Sequence, residues 1–314
     1  MPPRVLAAWE KRVSSVGIEE GAVAVDLIAV LAAATGAEPR VLTVRGGDRL
    51  PSGPFELGHR SLQSGLRAWV EEQTGHPVGY VEQLYTFADR DRAADGTRMI
   101  SISYLGLTRE AASARDAQWH GWYEYFPWED HRQGVPAFVG SFIAPRLAAW
   151  AEGAETAPLR QARRLRAAIA FGLDEETWNE DFVLQRYELL YEAGLIPEAG
   201  AEAVPGRRMA GDHRRILATA IARLRAKIKY RPVVFELMPP AFTLLQLQRT
   251  VEALAGHPLH KQNFRRLIEQ QELVEETGTI SAETGGRPAK LFRFRQSVLA
   301  ERAVVGSKLP LARS

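Results

Sequence analysis

The order of features over residues 243–294 constrains this chain more than anything else in it. Thr243-Leu-Leu-Gln246 has the form of a capping box, a hydroxyl residue followed three positions later by Gln, and it opens an apolar face of Leu244, Leu247, Val251 and Leu254. Gly256 closes that helix and Pro258-Leu259-His260 restarts the chain. Lys261 to Gln271 then reads as a second helix with a core stripe of Phe264, Leu267 and Ile268. At about 100° per residue, Gln262 and Arg266 point away from that stripe, with Asn263 and Arg265 on its flanks. Two short strands follow, Leu273 to Thr277 with a possible extension to Ile280, and Leu291 to Phe294. The loop between them is Gly-rich and basic, with Arg287, Pro288 and Lys290 near its tip. Helix, turn, basic helix, strand, loop and strand in this order predict a helix-turn-helix with a wing. Amides and guanidinium groups on the second helix suit base edges, and a basic wing suits phosphate or a minor groove. The candidate DNA contacts are Thr243, Gln246, Lys261, Gln262, Asn263, Arg265, Arg266, Arg287 and Lys290. A protein-contact module is the other use of this architecture.

Charge supports the nucleic-acid reading. The 314-residue chain has a net charge of only +2. Residues 1–204 carry 20 Lys+Arg against 29 Asp+Glu, and residues 205–314 carry 20 against 9. An acidic part followed by a basic one predicts a module that meets a polyanion and a module that does something else. The upstream run Arg207, Arg208, Arg214, Arg215, Arg223, Arg225, Lys227, Lys229 and Arg231 adds to the cationic side. With no cysteine, thiol catalysis and cysteine-based metal sites are excluded, and the seven histidines show no metal-binding spacing. The longest apolar stretch, Ala22 to Ala34, is too short to span a bilayer and contains Asp26. Trp9-Glu-Lys-Arg12 interrupts any signal-peptide core, so a cytoplasmic protein with no membrane association is expected.

Upstream, the patterning alternates strand and helix. Ala22 to Leu31 and Arg40 to Val44 predict a hairpin across Thr35 to Pro39; Ser61 opens a helix through Gln73 that Gly75 ends; Val81 to Ala88 and Met99 to Leu107 read as strands. Leu159 to Ala170, Glu175 to Ala193 and Arg214 to Lys229 read as helices, the second two followed and preceded by the Gly/Ala/Pro-rich linker Ile196 to Gly206. The aromatic run Trp119, Trp122, Tyr123, Tyr125, Phe126 and Trp128 fits core packing, with stacking on an adenine as the alternative.

The segments Phe235-Glu-Leu-Met-Pro-Pro-Ala-Phe-Thr-Leu-Leu-Gln-Leu-Gln248, His260-Lys-Gln-Asn-Phe-Arg-Arg266, Gly286-Arg-Pro-Ala289 and Phe292-Arg-Phe294 resemble the winged helix of the Nudix-related transcriptional regulators of NAD metabolism. The extra helices, with Tyr187-Glu-Leu-Leu-Tyr-Glu-Ala-Gly194, are more similar to the alphaproteobacterial NadQ type than to the shorter NrtR type. The resemblance implies an α+β chain: an N-terminal Nudix-like α/β/α sandwich over residues 1–155, a helical connector over 156–205 and a winged helix-turn-helix over 206–314.

It also supplies a test of the first domain. The Nudix box G-x5-E-x7-R-E-U-x-E-E-x-G-U clusters glutamates around Mg²⁺, a hard cation that takes oxygen ligands. Anchored on Gly75, the chain places Glu72 and Gln73 at the metal-binding pair, Trp69 and Ala68 at the preceding Glu and Arg, and Arg60 at the first Glu; Gly53 falls one residue out of register. Only Glu72 survives of the acidic positions, and Glu71 points about 100° away from it. No catalytic or metal-ligating residue is therefore assigned and the domain is expected to keep the fold without hydrolysis; an active nucleotide pyrophosphatase with an accessory basic domain is the rival. Arginine supplies 19 of the 20 cations of residues 1–204 and suits phosphate recognition. Arg45, Arg49, Arg60, Arg67, Arg90 and Arg98 are the candidate effector contacts. The resemblance implies a homodimeric repressor of NAD biosynthesis genes on a palindromic operator, with no required cofactor and a nucleotide effector such as ATP, ADP-ribose or an NAD-related nucleotide.

Overall fold

The computed structural model describes residues 23–79, 81–88, 98–111, 116–200, 204–229, 233–281 and 288–296. Strand β1 (Val23–Thr35) runs through the middle of the first sheet, and its stretch Leu27 to Ala33 is buried. An uninterrupted apolar run is what a strand covered on both faces requires. The hairpin to β2 (Glu38–Thr43) turns on Gly36 and Ala37, both left-handed at φ 60° and 67°. That pair of positive angles is the turn whose twist matches the flanking strands. Strand β3 (Ser52–Pro54) also pairs with β1. Helix α1 (Leu62–Thr74) begins where expected: Ser61 Oγ accepts from Ser64 N at 3.2 Å, Ser64 Oγ accepts from Ser61 N at 2.8 Å, and Gly75 ends the helix at φ 67°.

Strand β4 (Val81–Phe87) is antiparallel to β5 (Arg98–Leu107), which runs parallel to β1 from Val23 opposite Arg98 to Ala32 opposite Leu107. Strand β6 (Gln118–Gly121), absent from the sequence reading, joins β2, so the sheet order is β4-β5-β1-β2-β6. On one face, Leu66 and Val70 of α1 pack with Leu27, Ala29, Leu31 and Leu42. The opposite face belongs to a larger core that continues into the helices downstream. Helix–sheet–helix layering of this kind is the expected α/β/α sandwich.

The aromatic run resolves as core. Trp122 and Tyr125, in the single turn α2 (Trp122–Tyr125), are buried with Phe126 and Trp128. A π-helical turn at Val139–Ile143 leads into α3 (Ala144–Glu152), and α4 (Ala157–Phe171) ends at Gly172. The long helix expected over 175–193 is corrected to α5 (Val183–Glu192) preceded by turns. Gly172 sits at φ 63°, where a side chain would strike the Trp178 backbone, and Asn179 Oδ1 accepts from Asp181 N at 2.9 Å. The carbonyl of Asn179 accepts from Phe182 N in a turn at 3.2 Å and from Arg186 at 3.0 Å, and that of Glu180 accepts from Arg225 at 3.0 Å. Helix α6 (His213–Ile228) contributes Ile216, Leu217, Ala220, Ile221 and Leu224 to the larger core.

The last unit is a winged helix. Helix α7 (Leu244–Ala255) carries the full capping box: Thr243 Oγ1 accepts from Gln246 N at 3.1 Å and Gln246 Oε1 accepts from Thr243 N at 2.7 Å. The turn into α8 (Lys261–Gln270) is pinned by Gln248, which donates to Leu259 O at 3.1 Å, and by Glu252, which accepts from Leu259 N at 2.9 Å. Strands β7 (Val274–Ser281) and β8 (Ala289–Phe294) pair from Val274 opposite Phe294 to Ser281 opposite Ala289. Phe242 adds a third short strand by bonding Phe292 in both directions, at 2.9 and 2.7 Å. Among the described residues no helix is long and apolar enough to cross a membrane.

Candidate nucleic-acid interface

Helix α8 buries Phe264 and Ile268 against the winged-helix core and exposes Lys261, Gln262, Asn263, Arg265 and Arg266. Leu267, assigned to the core stripe, is 49 % exposed. It lies about 100° round the helix from Ile268 and falls outside the packed sector. None of the five polar residues engages a side-chain hydrogen bond or ion pair among the described residues. Amide and guanidinium groups left unpaired on one helical face have their full donor and acceptor capacity for a partner's. Gln246 is exposed at the start of α7, though its amide is committed to the cap, and Thr243 is buried beneath it with its hydroxyl engaged. Lys290 is exposed at the wing and pairs with Glu276 at 2.8 Å; Arg287 lies outside the described residues.

The upstream cations serve a different purpose from the one expected. Arg214 is fully buried, donating to Tyr125 O and bonding Glu198 at 3.0 Å. Arg225 is fully buried on Glu129 at 2.6 Å. Arg215 pairs with Glu188 at 2.8 Å, Lys227 with Glu82, and Lys229 with Glu180 and Asp181 at 2.7 and 2.8 Å. Arg207 donates to Gly46 O and reaches Glu124 at 3.5 Å. Every one of these acidic partners belongs to residues 1–204, so the basic and acidic parts neutralise each other along a shared seam. Arg208 and Arg223 are exposed, and Arg231 lies outside the described residues.

The residues aligned with the box in the sequence form a clasp. Gln73, in place of a glutamate, accepts from Ser52 N at 3.1 Å and donates to Ser52 O at 2.6 Å, tying α1 to β3. Trp69, in place of another, donates from Nε1 to Pro54 O at 2.8 Å, and its ring lies so close over Gly53 that no side chain fits there. Glu71, Glu72 and Arg60 are all exposed. Among the described residues no three His, Asp or Glu side chains gather in a way that could hold a metal ion.

The effector candidates separate into groups. Arg45 and Arg49 share the loop after β2, closed by Val44 bridging Arg49; Arg45 is exposed at φ 55° and Arg49 is half-buried. Arg67 donates to the carbonyls of Val78 and Gly79, at 3.3 and 2.7 Å, and so fixes the loop after α1. Arg60 precedes α1 and Arg98 begins β5; Arg90 lies outside the described residues.

Sequence reasoning missed a buried cluster. Glu129 is bonded by Arg186 at 2.5 and 2.8 Å and by Arg225 at 2.6 Å, with all three side chains at most 1 % exposed. Burial pushes the Glu129 carboxyl up, and the two guanidinium groups outweigh that and hold it below the usual carboxylate range. The signal available in the sequence was an acidic pair, Glu129-Asp130, at the end of an aromatic run, which does not reveal its partners.

A family model described as the NrtR DNA-binding winged helix domain matches residues 234–294. The ADPR responsive transcriptional repressor NtrR of Acinetobacter baylyi is 45% identical over 86 residues, 27% of this chain and 34% of that protein. The match thus spans about a third of the curated relative's length. Shewanella oneidensis NrtR, solved in complex with a 27mer DNA, superposes with a TM-score of 0.53 at 22% identity over 88% of this chain and 95% of that one. A MutT/nudix family protein from Enterococcus faecalis gives 0.54 at 16% identity over 94% of both chains. At these identities the two structures establish the fold: a Nudix-like domain followed by a winged helix.

Proposed function

We infer that this chain, a Nudix-related transcriptional regulator, represses its target genes by binding duplex DNA through α8 and answers to a nucleotide effector held by its Nudix-like domain. The observation that carries this reading is the unpaired face of Gln262, Asn263, Arg265 and Arg266 on the second helix of a matched NrtR-type winged helix. Two copies would set paired α8 helices about 34–36 Å apart, one DNA turn, or a multiple of it, on a palindromic operator.

ADP-ribose is the effector we propose, because the matched relative is named as responsive to it; nothing favours ATP. The target genes follow from the family resemblance and are those of NAD biosynthesis. From the sequence resemblance we carry over the NadQ-like arrangement, and we propose sensor, connector and reader at residues 1–155, 156–205 and 206–314. A box with one remaining glutamate, whose neighbour Gln73 is bonded to Ser52, is a binding scaffold and not a hydrolase. Effector binding acts by favouring a geometry that fits the operator less well, since a ligand shifts an equilibrium only through differential affinity for its states.

Selection of duplexes from a random-sequence library by the full chain tests the reading. A recurrent palindromic sequence, lost when Gln262 and Arg266 are both replaced by Ala, is expected. Recovery of no preferred sequence, or equal recovery by the double variant, would refute DNA reading by α8. Mg²⁺-dependent release of AMP from ADP-ribose, abolished by Glu72→Gln, would restore the pyrophosphatase reading.

A further inference from the structure

The carboxyl end of α7 is capped from outside the segment that matches the winged-helix family, residues 234–294. The last turn of a helix leaves carbonyls without intrahelical donors. Here Ala253 O accepts from Tyr123 Oη at 2.6 Å, Leu254 O from Arg225 Nε at 2.9 Å and Gly256 O from His131 N at 2.6 Å. Tyr123 and His131 belong to the segment that follows β6, and Arg225 to α6. Arg225 is saturated: beyond Leu254 it donates to the Glu129 carboxylate, to the carbonyls of Glu129 and Glu180, and to Tyr123 Oη at 3.4 Å. Arg186 holds the same carboxylate from α5 and bonds Ala170 O at 2.7 Å, which brings the connector into the junction.

Close approach depends on Gly256. At φ +83°, a Cβ there would lie 2.5 Å from Arg225 Nη2 and from Glu129 O. Two arginines on one carboxylate leave one net positive charge beside the negative end of the α7 dipole. Desolvating three charges is expensive, and an apolar contact of the same size would join the two domains as firmly. An apolar contact lacks direction, however, whereas these bonds fix the angle at which α7 leaves the sensor. The short turn pinned by Gln248 and Glu252 passes that angle on to α8.

We propose that Tyr123, Glu129, Arg186 and Arg225 are positioning residues for DNA reading: they lock the end of α7 to the sensor domain and connector, and effector occupancy reaches α8 through this junction. The orientation part stands on the geometry alone, and the coupling part rests on the ADP-ribose reading above.

Tyr123→Phe is the variant of choice, because it keeps the ring and the buried charge cluster and removes one hydroxyl. The chain has no cysteine. Spin labels can therefore be placed at Gln63→Cys on α1 and Gln270→Cys on α8, both exposed positions, with labelled chain diluted in unlabelled chain. The unsubstituted chain should give one narrow distance distribution, and Tyr123→Phe should broaden it. With a duplex selected by the unsubstituted chain, Tyr123→Phe should cut the factor by which ADP-ribose changes DNA affinity by at least about threefold, out of a typical coupling of about 5- to 150-fold. ADP-ribose affinity of the DNA-free variant should stay within about twofold, since the hydroxyl lost serves the junction and not the ligand. Tyr85→Phe, at an exposed tyrosine, should change neither quantity. A distance distribution or a coupling factor left unchanged by Tyr123→Phe overturns the proposal. If ADP-ribose leaves DNA affinity of the unsubstituted chain unaltered, the effector reading fails instead, and the distance distributions decide the lock.

Discussion

Glu129 concentrates the residue-scale chemistry of this molecule. Replacing it by Gln leaves two buried guanidinium groups without their anion, so Glu129→Gln should lower stability by about 3–5 kcal/mol, measured by chemical denaturation. His131, two residues on, stacks on Trp178 at 4.1 Å and donates from Nε2 to Trp128 O at 3.1 Å. Burial pushes its pKa below the ordinary 6.5; Glu129 opposes that shift, and Arg186 and Arg225 reinforce it. A histidine whose folded pKa is depressed takes up its proton more readily in the unfolded chain. Its contribution is therefore whole above pH 6.5 and declines as pH falls below that value toward the folded pKa. His131→Phe, which keeps a stacking ring, should flatten the fall in Tm between pH 7 and pH 5.5; an identical pH slope in the variant would exclude His131 as its source. None of this is legible from the sequence. A guanidinium reads the same whether it faces solvent, phosphate or a buried carboxylate, and the partners of Arg186 and Arg225 lie 57 and 96 residues away.

Elements were legible wherever their signals are local. Ser61 with Gly75, and Thr243 with Gln246 and Gly256, mark helix ends by side-chain and backbone chemistry within a few residues, and the structure places those helices there. Over 175–182 the chain forms turns in place of the expected helix, and arginines from α5 and α6, distant in sequence, bond the carbonyls of Asn179 and Glu180. β6 was missed because four residues paired only on one side carry little pattern. Thr243→Ala should cost about 1 kcal/mol of stability through the lost cap, measured by thermal unfolding, while sequence preference on DNA is retained. On α8 the expectations reverse. Gln262→Ala and Arg266→Ala should leave stability unaltered and weaken specific DNA binding by roughly 1–3 kcal/mol for each base-reading pair lost. If Lys261 contacts a phosphate, Lys261→Ala should weaken all sequences alike and lower the salt dependence of binding by about one unit of slope.

For the whole molecule, opposite charges on the two parts of the chain have two destinations. Part of the basic excess lies exposed on α8, and part meets Glu82, Glu124, Glu129, Glu180, Asp181, Glu188 and Glu198 along the seam. Summation along the sequence reveals the asymmetry but not this division, because pairing depends on which faces the fold brings together. The box shows the same limit from the other direction. The sequence offers an alignment on Gly75, whereas Gln73 and Trp69 acquire their structural roles only through contact with Ser52, Gly53 and Pro54. On the proposed reading, a chain that holds a clasp of Gln73 and Trp69 at the positions of metal ligands, and ties α7 and α8 to that domain through a buried junction, reports occupancy and does not turn over a substrate. Titration of a fluorescent duplex carrying the selected sequence, with and without saturating ADP-ribose and Mg²⁺, tests this most directly, with AMP followed in the same samples. A sequence-specific complex that ADP-ribose weakens at least about fivefold, with no AMP formed, is the expected result. A duplex affinity indifferent to ADP-ribose, or steady release of AMP, would contradict it.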